Sequence, residues 1–417
     1  MSQKMRTKKL NPDYWLFGAT VALLFVGVIL VFDASYARAA QMRFTGHDSW
    51  FFVKRQLLFA TLGMFGLIAA MHFNLSFYRK IAKLTMVISI ISLIAVFITG
   101  VGDDAGGASR WIGVGPFKVQ PSEIAKLAVI LYLADVLARQ KNRIRYLWRG
   151  ILRHLLWVGL IALLILKEPD MGTAIVLVGA AFAMFFAAGA LKRHLLVLGG
   201  LLACGGGLLI LFEPYRLARI KAFIDPMRYY YGTGYQIAHG LMALATGGIY
   251  GVGLVEGREK FYLPAAHTDY IFATVAEEAG LIGGLILLLL FGIFTYRGFQ
   301  IARECKSPYG ALLATGVTSV IALQTVINIG VVTSLIPATG VPLPFISYGG
   351  SSLVFTLILA GVLLSVSRNL NEQMIEDSES DENNTNRRRD RRAYISRTVG
   401  RTRVPRERTK VRTVVHR

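Results

Sequence analysis

Apolar stretches long enough to cross a bilayer recur from residue 14 to residue 367, and a soluble core cannot hide so many of them. Each is close to the length of about 20 residues that a spanning helix needs. A membrane barrel would show shorter, alternating segments. The expected fold is therefore all-α, a polytopic membrane protein of about ten transmembrane helices. The expected spans are 14–33, 56–73, 80–100, 122–139, 151–167, 171–190, 193–213, 269–296, 308–335 and 347–368. The fifth is the weakest, since Arg153 and His154 sit near its start. Composition agrees: 54% of residues are hydrophobic and 17% charged. The first run resembles a signal peptide, with Lys4, Arg6, Lys8 and Lys9 before it and Ala37-Arg38-Ala39 after it. Its 19 apolar residues from 14 to 32 exceed a signal core, so it reads as an uncleaved helix.

Basic residues set the expected orientation. The N-terminus, the segment from Arg139 to Arg153, the turn Leu191-Lys-Arg-His194 and the segment from Arg297 to Lys306 fall on one side of ten spans. Basic loops face the cytoplasm, which puts both termini inside. Arg38, Arg43, Lys54 and Arg55 break that pattern. The net charge of +21 follows from such loops and does not require nucleic acid. Residues 1–370 read as one membrane domain and 371–417 as a disordered, charged cytoplasmic tail, acidic first and then rich in Arg. The two cysteines suggest neither a disulfide framework nor a metal site, and His239 and His267 are too isolated to bind zinc. Glycines 247, 248, 251 and 253 lack the strand that a nucleotide-binding fingerprint needs.

The other side carries the unusual loops. One is glycine-rich, from 102 to 121; another is long, from 213 to 268, and is expected to be a large extracellular loop. Residues 337–352, with Pro337, Pro342, Pro344 and three glycines, cannot form a continuous helix. At the end of the long loop stands Asp269, at the edge of an apolar run. Ionisable groups at such borders are costly, and they mark function by default. A partly desolvated carboxylate can serve as a general base. Position alone equally allows Asp269 to cap the next helix. The loop supplies cations, Arg216, Arg219, Lys221, Arg228, Arg258 and Lys260, with tyrosines 229–231 among them. Such a surface suits a lipid phosphate or pyrophosphate, or bulk headgroups. Glu123 and Lys126 share a helix face and read as a brace or a switch. Of the adjacent acids Glu277 and Glu278, at least one faces the bundle interior. Glu168 and Asp170 flank Pro169, a helix interruption at the membrane edge.

Six ordered blocks give the chain a resemblance. They are Ser109-Arg-Trp-Ile112, Gln120-Pro-Ser-Glu-Ile-Ala-Lys126, Glu168-Pro-Asp-Met-Gly-Thr173, Gly232-Thr-Gly-Tyr-Gln236, Leu263-Pro-Ala-Ala-His-Thr-Asp269 and the stretch from Pro337 to Ser352. In these the chain resembles the SEDS family (shape, elongation, division and sporulation), which includes FtsW, RodA and SpoVE. The resemblance covers 14–368 and leaves out the tail. It implies a peptidoglycan glycosyltransferase that polymerises lipid II on the outer face of the bacterial cytoplasmic membrane, paired with a class B penicillin-binding protein. The family's catalytic Asp falls on Asp269. Where many members have Pro-Glu-Ala-His, this chain has Pro264-Ala-Ala-His267.

On this resemblance Arg110, Lys260, His267, Arg216, Arg258 and Gln236 are expected to bind substrate. Glu123, Lys126, Glu168, Asp170 and Glu277 are expected to be structural or to switch. No dedicated metal site is expected, although the resemblance leaves room for a divalent cation, Mg or Mn, on the pyrophosphate. Expected partners are lipid II, the nascent glycan strand, the penicillin-binding protein and other divisome membrane proteins. Phe32-Asp-Ala-Ser35 and Pro-Ala-Ala-His resemble FtsW or SpoVE more than RodA, and of these readings the septal division enzyme is favoured over the RodA-type elongation polymerase. The rival readings are a lipid II flippase, which would move lipid II without lengthening it, and a scaffold that only recruits its partner.

Overall fold

The computed structural model of the protein describes residues 12–98, 102–104, 109–114, 117–264 and 266–370. The helices are α1 (Tyr14–Gln41), α2 (Phe51–His72), α3 (Leu75–Ala95), α4 (Pro121–Gln140), α5 (Arg153–Lys167), α6 (Met171–Ala187), α7 (Lys192–Phe212), α8 (Pro214–Ile224), α9 (Tyr235–Gly247), α10 (Glu259–Tyr262), α11 (Ile271–Glu278), α12 (Gly280–Glu304) and α13 (Pro308–Val332). The last is α14 (Gly350–Leu370). The tail expected from 371 onward lies outside the described residues.

By length and composition alone, seven helical segments among the described residues can cross a membrane: α1, α2, Leu147–Lys167, α7, α12, α13 and α14. The other three expected spans are helices too. α6 is shorter, at 17 residues. α3 and α4 carry charges inside their apolar runs, and these charges meet. Arg79 of α3 donates from Nε to Asp135 Oδ1 of α4 at 2.6 Å, which lowers the cost of placing either in an apolar layer. The polar start of the fifth span is absorbed in the same way. His154 lies 3.1 Å from the Tyr132 hydroxyl and also bonds Gln140.

α13 is the hub of the bundle. It packs on α4, α6 and α12 and is buried over most of its length. α1 packs on α2 and α12. α7 is its opposite: apolar all round, with no buried residue. A helix of that kind is compatible with lipid as its surroundings and not with water. The chain is a multi-pass membrane protein.

The structure departs from expectation at three places. The span expected at 269–296 is two helices, α11 and α12, broken at Ala279 and Gly280. The reason is a set of bonds from the preceding loop onto the end of α11. The backbone N–H groups of Val252 and Gly253 donate to the carbonyls of Glu277 and Glu278. Gly280 takes φ +62°, and a Cβ there would meet Gly251 N at 2.4 Å. The glycine-rich loop from 102 contains a small antiparallel sheet, β1 (Gly102–Asp104), β2 (Ser109–Val114) and β3 (Phe117–Val119), with Ile112 opposite Val119. The long loop from 213 holds three helices, α8, α9 and α10. The stretch 333–349 is non-helical, as its prolines require.

One prediction follows from the packing of α9 against α11. Gly251 has φ +84°, and a Cβ there would lie 2.0 Å from the Glu278 carbonyl oxygen. Gly251→Ala combines overpacking with backbone strain and is expected to cost at least about 2 kcal/mol. Thermal unfolding in detergent checks this, with Gly292→Ala, where nothing lies within 4 Å, as the neutral control.

Candidate active site

Asp269 sits in the turn that leads into α11, beside the non-helical stretch that follows α13. Three bonds fix this turn. The Tyr348 N–H donates to the His267 carbonyl at 2.8 Å, and Ser347 Oγ donates to the Thr268 carbonyl at 2.7 Å. Asn328 Nδ2, from α13, donates to the carbonyls of Asp269 and Val341, each at 2.8 Å. The backbone of Asp269 is thus held by others, and its carboxylate is left to its surroundings. Gly340 lies against this carboxylate, where a Cβ would be 3.5 Å from Asp269 Oδ2, an ordinary contact; its φ of +75° is what favours glycine there.

Around this carboxylate stand groups from three other segments. Arg110, on β2, donates from Nε to the Glu168 carbonyl at 2.7 Å and from Nη2 to the Pro169 carbonyl at 2.8 Å. Asp170 caps α6, accepting from Thr173 N–H at 3.0 Å, and also accepts from Gln120 Nε2 at 3.1 Å. Arg219, on α8, donates to the Ala338 carbonyl at 3.0 Å and bonds the Tyr215 hydroxyl. Burial pushes Asp269 up to about 6, the negative charge of Asp170 adds to this, and Arg219 and Arg110 oppose it. Burial also pushes Glu168 up to about 8, with Asp170 again adding and Arg110 opposing. Glu168 is 1% exposed, and neither carboxyl oxygen has a hydrogen-bond partner. A carboxyl group so placed is held neutral near pH 7.

A cavity of about 570 Å³ opens between α8, α9 and the non-helical stretch; Asp269 does not line it, and Arg219, which does, is the group that links it to the carboxylate. Arg219, Pro264, Ala338, Gln236 and Tyr235 are among its lining residues. The site therefore joins a carboxylate of raised proton affinity, two guanidinium groups and an adjoining polar, aromatic cavity. That combination suits proton abstraction from a hydroxyl beside a bound anionic group.

The profile of the FtsW, RodA and SpoVE proteins, described as "Cell cycle protein", matches residues 14–372. Stage V sporulation protein E of Bacillus subtilis is 46% identical over 365 residues, which covers 87% of this chain and 99% of that protein. The chain belongs to the FtsW/RodA/SpoVE family. A probable peptidoglycan glycosyltransferase FtsW of Trichlorobacter lovleyi is 40% identical over 86% of this chain and 93% of its own length. Two solved structures share the fold. One comes from work on "structural coordination of polymerization and crosslinking by a peptidoglycan synthase complex", with TM-score 0.72 and 29% identity over 87% of this chain and 99% of that one. The other is the rod shape determining protein RodA of Thermus thermophilus, with TM-score 0.63 and 27% identity over 87% of this chain and 98% of that one.

Within this FtsW/RodA/SpoVE fold the expected site residues separate into groups. Asp269, Arg110, Glu168 and Asp170 come together, and Gln236 lines the adjoining cavity. His267 lies beneath, buried between the rings of Phe52 and Tyr348; burial, then Arg38, lowers it to about 4, which makes it a neutral wall. Lys260 requires a correction. It is 3% exposed, and its three N–H donors are spent on Asp33 Oδ1 (2.7 Å), Glu278 Oε1 (2.6 Å) and the Val255 carbonyl (3.1 Å). No donor remains for a substrate phosphate. Glu277 has a neighbouring structural role, accepting from the N–H groups of Arg258 and Glu259.

Arg258 itself presents an exposed side chain, and among the described residues Arg216 reaches the carbonyls of Leu166 and Leu209, at 3.4 and 3.5 Å. Glu123 and Lys126 form a buried pair on α4, with Nζ 3.0 Å from Oε1 and 2.9 Å from Oε2. Two contributors escape the sequence reading: Arg219, undistinguished among six loop cations, and Arg38. Arg38 donates to the carbonyls of Leu263 and Pro264 at 2.9 and 2.5 Å. Its sequence signal is its place on the side where basic residues are unexpected.

Proposed function

We propose that this chain is a peptidoglycan glycosyltransferase that polymerises lipid II into β-1,4 glycan strands, with Asp269 as its general base. The observation that supports this most is the partly buried Asp269 carboxylate in the field of Arg110 and Arg219, the second of which also lines the cavity. The 4-hydroxyl of an acceptor GlcNAc attacks the anomeric carbon of a strand still attached to undecaprenyl pyrophosphate. Its proton passes to Asp269. The bond from the anomeric carbon to the pyrophosphate oxygen breaks, and its electron pair leaves with the pyrophosphate. A single displacement turns the α linkage into β. Arg110 and Arg219 offset the charge that grows on the leaving group. Among the described residues no group of three or more His, Cys, Asp or Glu is arranged to hold a metal ion.

The reaction takes place on the outer face of the cytoplasmic membrane, at the division septum, with both termini cytoplasmic. The partner is a class B penicillin-binding protein that crosslinks the strands, within an assembly of other divisome membrane proteins. The experiment is strand formation from lipid II in proteoliposomes that hold the full chain with that partner. Lengthened strands support the reading. Movement of lipid II across the bilayer without lengthening overturns it in favour of a flippase.

A further inference from the structure

The cavity that Arg219 lines has a wall of tyrosines, and a buried chain of polar groups holds that wall. Tyr215, Tyr231 and Tyr235 line the cavity together with Thr233, Gln236 and Arg219. Tyr231 is 99% exposed, and its ring meets the Tyr230 ring edge-on, with centroids 5.2 Å apart. Behind the wall His239, on α9, is 5% exposed. Its Nδ1 lies 2.5 Å from Glu259 Oε2 on α10, and its Nε2 lies 3.0 Å from the Tyr230 hydroxyl. A carboxylate can only accept, so Nδ1 carries a proton, and Nε2 shares the second bond with the Tyr230 hydroxyl. The imidazole also stacks on Tyr262 at 5.4 Å and tilts against Tyr235 at 4.3 Å. One side chain thus fixes Tyr235 by contact and Tyr231 through Tyr230.

We infer that this cavity binds a saccharide ring of the substrate against Tyr231 and Tyr235, and that His239, braced by Glu259 and Tyr230, is the positioning residue that sets this aromatic wall. The inference rests on the glycosyl-transfer reading and adds to it the place where the sugar lies. Sugar C–H faces pack on aromatic rings, while Thr233 and Gln236 offer partners for hydroxyls. Concave sites with a few convergent polar groups are where small ligands are held, and the volume is sufficient. Tyrosine loses little conformational freedom when it binds, and here that cost is met in advance by the brace. Arg219, on the same wall, carries the recognition from the sugar toward the anionic group.

The test uses the full chain with its partner in detergent and lipid II with a shortened prenyl chain as probe. Both the equilibrium Kd and the polymerisation rate are measured. Tyr231→Ala, at a fully exposed position, and His239→Ala are expected to raise Kd and KM about tenfold and leave kcat within about twofold, the loss of one aromatic packing contact. Glu259→Gln, whose amide oxygen still accepts from Nδ1–H, is expected to stay near wild type, whereas Glu259→Ala follows His239→Ala. Unchanged Kd in Tyr231→Ala overturns the saccharide pocket. A fall in kcat at unchanged Kd in His239→Ala, or equal losses in Glu259→Gln and Glu259→Ala, overturns the positioning role. Asp269→Asn separates the two readings: it is expected to bind the probe normally and form no strands. Should it form strands at the wild-type rate, the proposed base falls while the Kd results still decide the pocket.

Discussion

Asp269→Asn is expected to lower the rate of strand formation by about 10²–10⁴-fold, the usual contribution of a positioned general base. The amide matches the carboxylate in size. The turn is held through the Asp269 carbonyl by Asn328, a bond that the substitution does not touch. Neighbours therefore stay in place, and the loss reports proton transfer rather than folding. Asp170 cannot substitute, because its oxygens are engaged by Thr173 and Gln120. Glu168 cannot either, since it is buried and held neutral. Binding of lipid II by the same variant, together with co-purification of the partner, shows whether the effect is confined to chemistry.

The second large effect is expected at Lys260. Lys260→Met leaves Asp33 and Glu278 buried without their cation, and breaking a buried pair in this way costs about 3–5 kcal/mol. The damage spreads along the chain. Glu278 also accepts from the N–H groups of Val255 and Gly257, so the loop entering α10 loses its anchor, and α10 is followed directly by the turn that bears Asp269. Lys260→Met is expected to show a much lower unfolding temperature in detergent. Adding Asp33→Asn and Glu278→Gln to the same chain restores part of it, because no unpaired charge remains. A variant with normal unfolding temperature but weakened lipid II binding would return Lys260 to the substrate-contact role that its sequence position suggested.

The membrane class and helices at the expected places were legible, because runs of about 20 apolar residues admit little else; seven of these segments are long and apolar enough to cross a membrane among the described residues. The break at Gly280 was not. Apart from the acids Asp269, Glu277 and Glu278 the stretch 269–296 reads as one apolar run, and the backbone of Val252 and Gly253, 25 residues earlier, interrupts it by bonding to the carbonyls of Glu277 and Glu278. Asp269 stood out as an acid at an apolar border. Lys260 looked similar, yet its burial depends on Asp33, 227 positions away. That pairing had a local sign: Asp33 is itself an acid in the first apolar run, and such a group calls for a named partner. Arg219 differs from Arg216 and Arg258 only through where α8 turns its faces, which no spacing in the loop reveals. The small sheet after α3 was hidden by its glycines, which read as loop.

The central claim is that the partly buried Asp269 carboxylate accepts the proton. Its most direct test is the rate of strand formation between pH 5 and 8 by wild type and by Asp269→Asn, each with its partner. Burial pushes the Asp269 carboxyl up to about 6, so its charged, active form is lost as pH falls through that value. The wild-type rate is expected to be level above about pH 7 and to fall about tenfold per unit well below 6. The residual rate of Asp269→Asn is expected to lack that limb. A wild-type rate that stays level down to pH 5, or an Asn variant with the same limb, would contradict the account.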